Sequence, residues 1–148
     1  MISALALGAC DRTTQTAANF NAVTNSAGTP SMFIAAPSAK VQQVIISRAA
    51  AKGSIIKPSG NGRLVLERPI SGTPSPQVVA ACGDSWFGRK VRVVMSLQAQ
   101  NGGTQITENR YIVGMSPMGG DCAMPLTQDD YNQSMNAMSA VKAEAEQQ

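Results

Sequence analysis

Residues 90–113 read KVRVVMSLQAQNGGTQITENRYIV, and the pattern of this stretch indicates how the sheet is built. Apolar and polar side chains alternate from Lys90 to Gln98, which is the pattern of a β-strand with one buried face. Asn101-Gly102-Gly103 has the composition of a tight hairpin turn, and the partner strand follows over 104–113. The stretch therefore predicts an antiparallel hairpin. Its apolar face carries Val91, Val93, Met95 and Leu97.

Shorter strands are predicted upstream of this hairpin. Ser54–Lys57 and Arg63–Glu67 flank the turn Pro58–Gly62 and read as a second hairpin. Met32–Ala35 is a short apolar run with β character.

Two segments carry the signals of amphipathic helices. The first opens at Pro37-Ser38, with Ser38 as the N-cap, and ends before Gly53. The second opens on a capping box that runs from Thr127 to Asp130. Apolar residues at helical spacing are Val41, Val44, Ile45 and Ala49 in the first, and Tyr131, Met135, Met138, Val141 and Ala145 in the second.

The predicted fold class is α+β, with a mostly antiparallel sheet of four to five strands and two helices on one face. The order of elements is β-α-β-β-loop-β-β-α, and residues 31–148 form a single domain. We expect the apolar face of the strand Lys90–Gln98 to pack against both helices, because a half-buried sheet needs a cover on its apolar side.

The composition argues against a nucleic-acid partner. The formal charge is +3 and only 14% of the residues are charged. The basic residues are scattered, whereas a nucleic-acid footprint clusters them on one face or in one run.

The sequence also argues against an enzyme. Histidine is absent, which removes the commonest general base and the commonest metal ligand. The stretch Gly83-Asp84-Ser85-Trp86 resembles the start of the GDS-type lipase signature, but its serine has no histidine base, so we interpret it as a turn. Helix capping explains Asp129 and Asp130, and Glu67 and Glu108 read as cross-strand partners for arginine. We expect no catalytic residue and no cofactor.

The N-terminus carries a processing signal. Leu7-Gly8-Ala9-Cys10 resembles the lipobox of bacterial lipoproteins, which implies cleavage before Cys10 and a lipid on its sulfur. Residues 1–9 are then an apolar signal remnant and 10–30 a polar, flexible tether. No basic residue precedes Cys10, so we expect translation to start upstream of Met1. The resemblance implies a cell-envelope protein, anchored in a membrane and facing the periplasm.

The order of elements is similar to that of small proteobacterial envelope lipoproteins with helix-grip domains. This resemblance covers roughly residues 31–148 and implies a binding or structural role towards another envelope protein or a polymer. If lipid occupies Cys10, the remaining thiols, Cys82 and Cys122, pair in a disulfide in an oxidising compartment.

Two alternatives stay open at this point. Met115, Met118 and Met124 lie close together in the sequence, and thioethers are soft ligands, so soft-metal binding, copper in particular, is the second hypothesis. A small cytosolic α+β domain of unknown role is the third.

Overall fold

A computed structural model of the protein describes residues 28–73, 87–115 and 127–147, together with positions 76 and 79. Within these ranges a sheet of five antiparallel strands carries two helices. The elements in chain order are β1 (Ser31–Ile34), α1 (Ser38–Ala51), β2 (Ile55–Pro58), β3 (Arg63–Pro69), β4 (Phe87–Gln100), β5 (Gly103–Met115) and α2 (Gln128–Ala145).

The order of strands in the sheet is β1-β5-β4-β3-β2, and every neighbouring pair is antiparallel. The predicted α+β class and the predicted order of elements are thereby confirmed. The central hairpin is longer than the sequence pattern indicated, since β4 begins at Phe87 and ends at Gln100. Asn101 and Gly102 both have positive φ, as a two-residue hairpin turn requires.

The helices cover one face of the sheet, which we call the inner face; the opposite face is the outer face. The predicted orientation of β4 is correct, because Met95 and Leu97 are buried in the core and Val93 packs against it. All four residues that the sequence assigned to the apolar side of α1 are in the core, and Met138, Val141 and Ala145 of α2 join them. Met135 packs against the core, whereas Tyr131 is only half-buried and does not belong to it. The buried core comprises Ile34, Ala36, Val41, Val44, Ile45, Ala49, Leu64, Leu66, Met95, Leu97, Ile106, Met138, Val141 and Ala145.

The helix ends follow local sequence signals, with one correction. Thr127 and Asp130 form the predicted capping box in both directions. Gly53, at φ +76°, lets the chain leave α1 in a left-handed conformation that a side chain would strain. The predicted N-cap role of Ser38 is wrong. Pro37 occupies the cap, and the Ser38 hydroxyl instead lies 3.0 Å from Oγ1 of buried Thr104.

The folded region extends to Pro30, which is fully buried and whose carbonyl accepts a hydrogen bond from the backbone N–H of Glu108 at 2.9 Å. Several predicted sites lie outside the described residues: Cys10, Cys82, Cys122, Met118, Met124 and the stretch 83–86. Met115 ends β5, and its side chain is not described. Of the helices in the described ranges, none combines the length and hydropathy that crossing a membrane requires.

Candidate ligand groove

A groove of about 410 Å³ lies between the two helices and the inner face of the sheet. Its volume falls in the range of sites that hold small molecules. The floor is the inner side of β4, where Val91, Val93 and Met95 follow one another at a period of two. The same alternation that predicted a buried strand face therefore also supplies an apolar floor.

The walls come from one half of each helix. The start of α1 contacts the end of α2, where Lys40 Nζ donates to the carbonyl of Gln147 at 2.7 Å. A second contact pairs Arg48, in the later part of α1, with Glu144 at 3.0 Å. The groove lies beside the later part of α1 and the earlier part of α2. Small side chains on α2, Ala137 and Ala140, line it and fill little of the space.

Basic side chains line the groove around this apolar floor. Arg48 comes from α1, Lys52 from the C-cap directly after it, Arg68 from β3 and Arg110 from β5. Arg48 is paired with Glu144, and Arg110 is paired with Glu108. In the described part of the chain no carboxylate lies within ion-pair distance of Lys52 or Arg68. The groove thus combines an apolar surface with an excess of positive charge.

Among the described residues that line the groove, Glu108 is the one that carries a carboxylate, and its position is fixed by hydrogen bonds. Glu108 is 2% exposed, and its Oε1 accepts hydrogen bonds from Ser134 Oγ at 2.6 Å and from Arg110 Nη2 at 2.9 Å. Arg110 also donates to Gln133 of α2 at 3.4 Å. A buried charge needs such partners, because an unpaired one costs several kcal/mol. The network joins β5 to α2 along one side of the groove.

The outer face holds a second charged cluster, centred on Glu67 of β3. Its carboxylate is 3% exposed and accepts hydrogen bonds from Lys90 at 2.7 Å, Arg92 at 2.8 Å and Lys57 at 2.9 Å. Burial alone would raise the pKa of Glu67, but the bonds from Lys90, Lys57 and Arg92 outweigh that effect and lower the pKa to about 2. Glu67 is therefore ionised across the physiological range.

The sequence identified these carboxylates only in part. Glu67 lies directly opposite Arg92 in the β3–β4 register, as a cross-strand partner should. For Glu108 the expectation of a cross-strand arginine is wrong, because its partner Arg110 is on the same strand, two residues along. The sequence also missed Ser134 and the basic side chains of the groove. The spacing of Arg48 and Lys52 from Ile45 and Ala49 was the available signal, since residues three or four apart share a helix face.

Metal binding finds no support in the described ranges, where no group of three acidic or cysteine side chains is close enough to hold an ion. Most of the methionines in the soft-metal hypothesis lie outside those ranges, so the hypothesis stays a prediction.

A comparison of the chain with protein-family models and with curated proteins finds no match.

Proposed function

We propose that this chain is a non-enzymatic binding protein of the bacterial envelope, anchored through Cys10, whose groove holds a single-chain anionic amphiphile such as a long-chain fatty acid. The observation that carries the proposal is the apolar floor of β4 lying beside Lys52 and Arg68, two cations with no carboxylate partner among the described residues. An alkyl chain matches the floor, and a carboxylate or phosphate head matches the cations.

The geometry favours a lipid-like ligand over a peptide. The floor consists of strands whose backbone groups already bond to neighbouring strands, and the walls are helices. A bound peptide would bury its own N–H and C=O groups without partners, which costs free energy. An alkyl chain has no such groups, so the groove can cover it without an unpaired polar atom.

The expected affinity follows from the burial of methylene groups. Each buried methylene contributes about 0.8 kcal/mol, so about eight of them contribute roughly 6 kcal/mol. A micromolar dissociation constant corresponds to about 8 kcal/mol. The head group must supply much of the remainder through Lys52 and Arg68, which predicts that binding depends on the charge of the head.

Binding of cis-parinaric acid, whose fluorescence rises in an apolar site, tests the groove. We expect saturable binding that decanoate displaces and decylamine does not. Lys52→Gln/Arg68→Gln should weaken binding about tenfold or more, because a hydrogen bond to a charged group contributes about 1.5–3 kcal/mol. Arg63→Gln is the matched control for the single variant Arg68→Gln, since Arg63 lies on the same strand but on the outer face and each variant removes one charge.

The outcomes separate the two parts of the proposal. Binding that decanoate and decylamine displace equally would show an apolar site without recognition of the anion. Equal loss in Arg63→Gln would mean that general charge, and not the groove, attracts the probe. Absence of saturable binding in the folded protein would overturn the proposal.

The anchor has a separate test, which uses the gene with its upstream codons. We expect the wild-type protein to start at Cys10 and to partition into the detergent phase, because several acyl chains give strong membrane attachment. Cys10→Ser should stay in the aqueous phase. If both forms are equally soluble and the chain still begins at Met1, the protein is not a lipoprotein, whatever the groove binds.

A further inference from the structure

The outer face of the sheet carries both of the large hydrophobic side chains that the described residues leave exposed. Phe33 on β1 is 37% exposed and Ile55 on β2 is 55% exposed. Each belongs to an edge strand, and its neighbour along that strand, Ile34 or Ile56, turns inward to the core. Four spacings between strands, about 19 Å, separate the two edges.

Positive charge occupies the part of this face formed by β2, β3 and β4, next to Ile55. Alternation places Lys57, Arg63, Lys90 and Arg92 on the outer face, with Glu67 as the acidic residue among the described strand residues there. Four positive charges and one negative charge leave +3.

The cluster holds its cations in place while leaving them accessible. The side chain of Lys57 is 57% exposed, and those of Lys90 and Arg92 are each 31% exposed, above the buried carboxylate of Glu67. Each ammonium uses one of its three donors on Glu67, so the others remain for an external acceptor. Fixing the cations beforehand reduces the entropy lost when they bind an anion.

We propose that the outer face lies against an anionic membrane surface, with Lys57, Lys90 and Arg92 on lipid phosphates and Ile55 and Phe33 among the head groups. Charge complementarity selects this occupant, since exposed apolar side chains beside fixed cations match an interface that is negative and partly apolar. The inference is independent of the groove. It places the groove on the side of the domain away from the bilayer, so the groove ligand enters from solution.

Sedimentation with lipid vesicles tests this surface. The full chain carrying Cys10→Ser is used, so that no acyl anchor contributes. We expect binding to vesicles of phosphatidylcholine and phosphatidylglycerol in equal parts, and little binding to phosphatidylcholine alone. A lysine near an anionic surface contributes about fivefold to partitioning, so Lys57→Gln/Lys90→Gln should lower it about 25-fold.

The matched control is Lys40→Gln/Lys142→Gln, which removes the same net charge from the helix side of the domain. Equal loss of vesicle binding in the control would overturn the proposal in favour of a general charge effect. So would equal binding to neutral and anionic vesicles, or none to either.

Ile55→Ser tests the apolar contribution without risk to the fold, because the side chain is half exposed. We expect a loss of about threefold, as burying the exposed part of an isoleucine is worth a fraction of its full transfer energy. Unchanged partitioning in Ile55→Ser would show that the surface does not meet the head groups as proposed. The groove proposal would stand in either case, because cis-parinaric acid binding does not involve this face.

Discussion

Ser134 of α2 donates a hydrogen bond of 2.6 Å to the carboxylate of Glu108 on β5, and both side chains are buried. This bond fixes the distance between a helix and the sheet beside the groove. Arg110, which binds the same oxygen, reaches on to Gln133 one residue before Ser134. The position of α2 and the position of the Arg110 guanidinium beside the groove thus both depend on the buried carboxylate of Glu108.

The first prediction concerns that contact. Ser134→Ala removes a donor from a buried carboxylate, and we expect the free energy of unfolding to fall by about 1.5–3 kcal/mol, the range for hydrogen bonds to charged groups. Ser139→Ala, on the exposed side of the same helix, should change it by less than about 0.5 kcal/mol. Urea unfolding measures both, and equal effects would show that the bond does not stabilise the fold.

The apolar core could be predicted from the sequence, but the polar contacts inside the core could not. Period-two alternation in β4 and 3.6-residue spacing in the helices predicted the sheet, its covered face and most of the core, because burial of apolar surface dominates the folding free energy. Ser134, Thr104 and Glu108 are polar, so patterns of apolar residues do not include them, although all three are buried. Their burial depends on partners distant in sequence, such as Thr104 donating to the Ala36 carbonyl at 2.8 Å.

The groove was unpredictable for a related reason. Its floor is visible in the alternation of β4, but its existence depends on where α1 and α2 make contact and on small side chains at Ala137 and Ala140. Two helices that packed together over their full length would have closed it. Arg48 and Lys52 lie at the C-terminal end of α1, where basic residues favour the helix dipole, so their positions alone do not indicate a site.

The second prediction concerns acid stability. The pKa of Glu67 lies at about 2 in the folded protein, below its ordinary value of 4.5. The ion pairs of Glu67 therefore make their full contribution to the free energy of unfolding above about pH 4.5. This contribution is lost as the pH falls towards 2. Between these pH values we expect Glu67 to add at most about 1.4 kcal/mol per pH unit to the slope of the free energy of unfolding against pH.

Glu67→Gln should remove that part of the slope, as measured by urea unfolding at a series of pH values. The control is Glu144→Gln, which removes an exposed ion pair with Arg48 and should alter stability by less than about 1 kcal/mol. An unchanged slope in Glu67→Gln would show that other carboxylates govern acid unfolding.

The third prediction concerns the close approach of β1 to β5. A Cβ placed on Gly103 would lie 2.4 Å from the Ile34 carbonyl oxygen and 2.5 Å from the Phe33 ring. Gly103→Ala must therefore push β1 away from the sheet, and we expect a loss of at least about 2 kcal/mol. Gly102→Ala meets no atom within 4 Å and bears only the strain of its positive φ, about 1 kcal/mol. Thermal unfolding should rank Gly103→Ala below Gly102→Ala, and the reverse order would contradict the packing described.

The fourth prediction concerns the two cysteines that remain if Cys10 is lipidated. We expect Cys82 and Cys122 to form a disulfide in exported protein, contributing up to about 4 kcal/mol by closing a loop of about forty residues. Thiol counting on denatured, unreduced protein measures this directly. No free thiol is expected from the pair, whereas two free thiols in exported material would contradict the prediction.

The last prediction is that filling the groove with larger side chains raises the stability of the fold and abolishes ligand binding. Ala137 and Ala140 line the groove and are half-buried, so leucine at both positions would extend apolar atoms into space that we assign to the ligand. Filling such space commonly adds about 0.5–2 kcal/mol of stability at the cost of function. We expect Ala137→Leu/Ala140→Leu to unfold at higher urea concentration and to lose cis-parinaric acid binding. Ala143→Leu, exposed on the same helix, should change neither, because alanine and leucine have similar helix propensities. If the filled variant still binds the probe with unchanged affinity, the ligand lies elsewhere and the groove is only a packing feature of the two helices.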